Sequence, residues 1–283
     1  MRIRLRFAKL GKIRFTSQRD VARMWERALR RAELPLAYTV GFSPRPQLSF
    51  GLALPTGCES LAEYLDVVLD EARAETAQVD VASLPGRLTE FLPAGIDVEE
   101  AAVVERRSTS LQQQVTSCSW TMWMAGVSRA ELEGLIASLL AADTVPIVRE
   151  RKGREEHDDL RPSVLALAVG PAPVPQHRGD RPGEIAEGGV LTVAVEAELA
   201  TQPRGVRPIE LVRGLIAVSG PAGDSPSAGA PADGGNSVGT PVLDRACRTQ
   251  QWIERDGNRE EPLVRRGDIS GVDRAMHALE RAS

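Results

Sequence analysis

Long apolar runs are missing from this sequence. Nowhere do about eighteen apolar residues follow one another, which excludes a helix of bilayer-spanning length. The first residues, Met-Arg-Ile-Arg-Leu-Arg-Phe, alternate basic and apolar, and a secretory leader needs a continuous apolar stretch with a small-residue cleavage site. A cytoplasmic chain with no membrane contact is therefore expected. Aromatic residues make up only 4% against a hydrophobic share of 42%, so Ala, Val and Leu must carry most of the burial. Cysteine is scarce and odd in number, and Cys58, Cys118 and Cys247 stand too far apart for a disulfide framework or a CxxC knuckle. His157, His177 and His277 have no ligand-like spacing, so neither a metal nor a cofactor is expected. Also absent are the GxxxxGK[ST] phosphate loop, a GxGxxG after a strand, HExxH and GxSxG. No catalytic residue is assigned on these grounds, and binding is favoured over catalysis.

What is present is charge, unevenly placed. The net charge of −4 hides a first fifty residues with twelve Arg or Lys against three Asp or Glu. The remainder of the chain is acidic. Such polarity points to an anionic partner for the N-terminal part, RNA being the first expectation. Lysine is nearly absent (Lys9, Lys12 and Lys152 only), so arginine supplies almost all of the positive charge.

Hydrophobic spacing lays out the elements. Ile3, Leu5 and Phe7 alternate with Arg2, Arg4 and Arg6, the period of a strand with one wet face. Gly11-Lys12 is a turn, with Ile13 to Phe15 extending or returning the strand. Thr16 or Ser17 caps a helix from Gln18 to about Ala32, and Pro35 ends it. Tyr38 to Pro46 is an extended loop, because two prolines in three residues keep it out of helix. Strands are predicted over 47–54, 62–69 and 96–104, with a short helix over 84–92. The order β-α-β-β-α-β then recurs: strands over 118–124, 145–151, 163–169, 190–199 and 246–254, helices over 128–142 and 208–218. This predicts an α+β fold of two tandem ferredoxin-like modules with helices on one face of each sheet. The modules span 1–108 and 116–255. Flexible insertions are expected at 170–189 and 219–241, and a charged, loosely ordered tail at 256–283.

Within the first helix, Arg19, Arg23, Arg27 and Arg30 recur at i, i+4, i+8 and i+11, with Arg31 beside them. Asp20 is placed to reach Arg23 and Glu26 to reach Arg30. Arg27 has only arginines and a methionine at three and four residues. Like-charge neighbours cost an isolated helix a few tenths of a kcal/mol each, and a bound polyanion relieves that cost. Lys9, Lys12 and Arg14 cluster at the turn before the helix. Phe42 and Arg45 sit on the proline loop, where a ring can stack on a base. These ten residues are the candidate RNA contacts. Glu155, Glu156, Asp158 and Asp159 around His157 read as an exposed, acidic hairpin tip.

Arg14-Phe15-Thr16-Ser17-Gln18-Arg19-Asp20, Glu26 to Ala32, Leu34-Pro35, Gly41-Phe42-Ser43-Pro44-Arg45-Pro46, Leu54-Pro55 with Gly57, and Glu63-Tyr64-Leu65-Asp66 together resemble an uncharacterised radical SAM-associated bacterial family. The likeness covers roughly residues 1–215 and marks Ser17, Asp20, Gly41, Pro44, Pro46, Glu63 and Asp66. Members occur fused behind a radical SAM domain or as a separate short protein. The resemblance implies an accessory protein with a radical SAM iron–sulfur enzyme as partner. This chain has no CxxxCxxC, so a partner must hold the cluster. Members commonly place a histidine where this chain has Gln18, a departure that favours binding. A weaker, layout-level likeness is to the tandem ferredoxin-like proteins that bind and process CRISPR RNA. Alternatives to the RNA-binding accessory are a protein-interaction module for an iron–sulfur enzyme without nucleic-acid contact, and an RNA-processing enzyme with an unrecognised site.

Overall fold

The strand Arg2–Lys9 (β1) has two fates for its two faces. Ile3, Leu5 and Phe7 bury against Val21, Trp25 and Leu29 of the helix Gln18–Arg31 (α1), and Phe7 meets Trp25 edge-on at a centroid distance of 4.9 Å. The opposite face, expected to be wet, is covered. Arg2 and Arg4 share the Asp66 carboxylate, Arg4 also donates to the Pro262 carbonyl, and Arg6 lies between Glu99 and Glu261. The alternation was real, but Asp66, Glu99 and the segment at Glu261 and Pro262 enclose the arginines. Alternation alone does not separate a solvated face from an ion-paired one.

The computed structural model describes residues 1–105, 109–151, 153–170, 192–219, 239–255 and 257–263, with the side chains of 150 and 151 left aside. After β1 a 3₁₀ turn runs over Gly11–Phe15, where a strand extension was expected. Helix α1 follows, its first turn capped by the Ser17 hydroxyl. Next come β2 (Leu48–Phe50), β3 (Glu59–Val68), α2 (Glu71–Thr76), α3 (Leu84–Phe91) and β4 (Ile96–Val104). Then follow α4 (Leu111–Gln114), β5 (Val115–Ala125), α5 (Arg129–Ala141), β6 (Pro146–Arg151), β7 (Arg154–Asp159), β8 (Val164–Gly170), β9 (Val193–Ala200), α6 (Pro208–Val218), β10 (Val242–Arg255) and β11 (Asn258–Glu260). Ser128 and Glu131 form a capping box on α5, and Pro208 opens α6 at the position where its missing N–H costs nothing.

Among the described residues, nine strands make one mixed sheet in the order β4-β1-β3-β10-β5-β9-β8, with β2 added to β3 and β11 to β10. All pairings are antiparallel except β3 with β10, which run parallel through Glu59–Ser60 and Cys247–Arg248. That seam joins residues about 190 apart in sequence. One apolar cluster lies around β1, β3, α1 and α3, and another around β5, β9, α5 and α6. The fold is thus α+β with a large mixed sheet.

Two expectations need correction. The acidic run at 154–159 is no tip but the strand β7, paired with β6 in a hairpin; Glu155 and His157 are exposed there, while Glu156, Asp158 and Asp159 are half-buried. Asp158 is anchored by Arg149 and Arg204, and Glu156 by Arg204. The start of the expected loose tail is also ordered: β11 pairs with β10, and Glu261 and Pro262 meet Arg6 and Arg4. The expected insertions fall almost wholly outside the described residues, as does the rest of the tail.

Candidate nucleic-acid interface

Helix α1 presents its arginines outward because Val21, Trp25, Ala28 and Leu29 claim the opposite side. Arg19, Arg23, Arg27, Arg30 and Arg31 are all exposed. A rise of about 1.5 Å per residue spreads positions 19 to 30 over roughly 16 Å. Arg23 pairs with Asp20 at 3.2 Å and Arg30 with Glu26 at 3.7 Å, as the spacing predicts. Arg27 has no carboxylate partner among the described residues; its Nε donates to the Arg23 carbonyl at 3.3 Å. Arg19 and Arg31 likewise have no ion pair among the described residues. Asp20 is engaged as a cap: the Ser17 hydroxyl donates to its carboxylate at 2.7 Å, which holds that carboxyl below its ordinary value, with help from Arg23 and Arg19.

The proline loop stands away from the body. Tyr38 bridges to Pro46, and the Arg45 carbonyl accepts from the Thr39 N–H, closing the loop's neck. Between them Val40 and Phe42 are fully exposed, and Arg45 is exposed as well. Gly41 sits at φ +147° with no atom near its Cβ position. Pro44 is exposed while Pro46 is buried at the neck.

The basic turn divides. Lys12 is exposed. Lys9 is buried and donates to the Thr16 carbonyl at 3.1 Å, so it braces the approach to α1. Burial pushes its ammonium below the ordinary value, against the pull of Glu63. Arg14 is half-buried, 3.7 Å from Glu59, with its guanidinium 4.6 Å from the Phe15 ring centre.

Glu63 and Asp66 are structural partners. Asp66 holds Arg2 and Arg4, and Glu63 holds Arg248, which also donates to the Leu52 carbonyl at 2.9 Å. Beside them Glu59, wholly buried, accepts from the Nε and one terminal nitrogen of Arg245 and from the Gly11 N–H. Glu59, Arg245 and Arg248 escaped the sequence reading: their pairing spans 185 residues or more, and no local pattern records it. Among the described residues no group of His, Cys, Asp and Glu could hold a metal, and no helix is long and apolar enough to cross a membrane.

Residues 2–205 match the model of an uncharacterized protein family conserved in bacteria (DUF2344). The chain belongs to this family. The match takes in the capped helix α1, the proline loop and strand β3 with its three acids, and it stops just before α6. No curated protein matches the chain.

Proposed function

We propose that this DUF2344 protein binds single-stranded RNA through the outer face of α1, as an accessory to a radical SAM iron–sulfur enzyme. One observation carries the RNA half: five exposed arginines on one helix, with Asp20 and Glu26 as their only ion-pair partners among the described residues. Protein-side neutralisation of that surface is small, and a phosphate backbone supplies it without needing a fixed sequence. Arg45 and the exposed Phe42 ring, on the segment after α1, add a cation and a stacking group. The radical SAM half rests on the resemblance of the motifs from Arg14 to Asp66.

The duplicated reading of the fold is part of the proposal. The order β4-β1-β3-β2 in residues 1–108 and β10-β5-β9-β8 in residues 116–255 is the same arrangement twice, each with a helix after its first and third strand. That supports two ferredoxin-like modules, the second carrying the β6–β7 hairpin as an insertion.

If four or five phosphates are contacted, log affinity for an oligouridylate falls against log salt with a slope of about −3 to −4. Arg23→Glu/Arg27→Glu is expected to flatten that slope by about 1.4 or more, two phosphates at about 0.7 each. An unchanged slope overturns the RNA reading. The exposed Val40 and Phe42 favour the second reading, a protein-docking module. A native pull-down separates the two: an iron–sulfur protein retained in high salt and lost with Phe42→Asp, with no RNA recovered, supports docking alone.

A further inference from the structure

A cleft of about 730 Å³ opens where the two halves of the sheet meet. Its walls come from the 3₁₀ turn before α1, the loop 53–58, the first residues of α6 and the early part of β10. We propose that this cleft holds one nucleoside phosphate, with the base on Phe15 and the phosphate between Arg14 and Arg207. It deepens the RNA reading, and it rests on that reading only for the source of the nucleotide.

The charge inventory of the cleft is decisive. Arg14, Arg207 and Arg245 line it with one accessible carboxylate, Asp244. Arg245 is committed to the buried Glu59, so that pair is neutral. Arg14 stands farther from Glu59, at 3.7 Å, and Arg207 is exposed with no ion pair among the described residues. A positive surplus therefore faces the space; the N-terminus of α6 adds little to it, since the Glu210 carboxylate already accepts the Arg207 N–H at 2.7 Å. Two other cavities lack this surplus. One of about 470 Å³ is rimmed by Glu71, Glu75 and Glu105 around Arg2, and one of about 230 Å³ by Glu105, Glu260 and Glu261 around Arg4 and Arg255.

The apolar part fits a base. Phe15 keeps 62% of its surface in solvent and Ile209 keeps 44%, although both line a concave site. An exposed phenyl ring at a cleft mouth costs free energy that stacking recovers, and every base offers a π-face. The volume lies within the roughly 300–1,000 Å³ of small-ligand sites. Arg14 covers one face of the Phe15 ring, and the ring's 62% exposure leaves surface on which a base can stack next to that cation.

The test uses the full chain with two probes, uridine 5′-monophosphate and a fluorescein-labelled twelve-residue oligouridylate. Phe15→Ala/Arg207→Ala alters only side chains that reach solvent, so folding is retained, which a far-UV spectrum checks. For the wild-type chain we expect measurable monophosphate binding, oligonucleotide binding, or both. The double variant is expected to weaken whichever is seen by about tenfold or more. Monophosphate competing with the oligonucleotide identifies an RNA nucleotide in the cleft, and monophosphate bound without oligonucleotide identifies a free nucleotide. Both outcomes support the site. Wild-type-like binding of both probes by the double variant overturns it, and so does failure of the wild-type chain to bind either. The two readings fail separately: oligonucleotide binding that Arg23→Glu/Arg27→Glu leaves intact sinks the α1 reading, whereas monophosphate binding that Phe15→Ala/Arg207→Ala leaves intact sinks the cleft.

Discussion

Arginine plays three parts in this chain, and burial decides which. On β1 and β10, Arg4 and Arg248 are almost fully enclosed, each against a carboxylate of β3, Asp66 and Glu63. Removing one partner of such a pair strands the other without water, a loss of about 3–5 kcal/mol. On α1 the same residue stands in solvent, where an ion pair contributes at most about 1 kcal/mol and leaves the charge available to a ligand. At the cleft, Arg14 is intermediate. The cysteines follow the same logic in reverse. Burial pushes the Cys58 and Cys118 thiols up to about 11 and Cys247 up to about 12, from an ordinary value of 9.0. Above about pH 9 the unfolded chain releases thiol protons that the folded chain retains, so stability falls as pH rises. Each thiol contributes up to about 1.4 kcal/mol per pH unit until its folded value is reached. Urea midpoints from pH 8 to 10.5 should decline, and a Cys58→Ala/Cys118→Ala/Cys247→Ala variant should decline less. Equal slopes in the two chains would remove the thiols from the explanation.

At the scale of elements, what is local in sequence was legible and what is distant was not. The bounds of α1 and β4 follow from Ser17, Pro35 and the apolar spacing, and the Asp20–Arg23 and Glu26–Arg30 pairs follow from helical geometry. Strand β7 was missed because Arg154 to Asp159 is all charged or polar, and its partners Arg149 and Arg204 are supplied by tertiary contact. The short helices α2 and α4 carry too few turns for a period to emerge. Of the candidate contacts, the exposed arginines of α1 were readable from spacing, whereas the burial of Lys9 was not, since nothing local announces the carbonyl of Thr16. Gly95 links two such elements. It holds φ +92°, its carbonyl accepts the Leu10 N–H at 2.8 Å, and an added Cβ would meet the Leu10 oxygen at 2.3 Å. Gly95→Ala should therefore cost roughly 2–4 kcal/mol, combining left-handed strain with a backbone clash. Gly57→Ala, at φ +89° with open space around it, pays strain alone, about 1 kcal/mol. Comparable urea midpoints for the two variants would show that the Leu10 contact does not constrain the turn.

At the scale of the molecule, the seam between β3 and β10 governs how the two halves behave. Were the repeated strand orders independent units, β10 and the first residues of β3, which lie beyond the stretch that β2 covers, would be free edges. Here those edges satisfy each other, and the ladder is reinforced by Arg248 on Glu63, Arg245 on Glu59, Gln251 donating to the Ala62 carbonyl at 2.6 Å and Tyr64 donating to Gln250 at 3.0 Å. Opening the seam exposes two unpaired strand edges and three buried charges, Glu59, Glu63 and Arg248, at once. The sheet should therefore open as one cooperative unit, despite a sequence that reads as two modules. Hydrogen exchange under increasing urea, followed on peptides from β1 and from β9, is expected to give matching opening free energies. Arg248→Ala leaves Glu63 buried without its cation, and should lower both by the same amount, about 3–5 kcal/mol. A drop confined to β9, with β1 unmoved, would mean that the halves unfold separately. The nucleotide cleft would then lie at a hinge and not on a rigid wall.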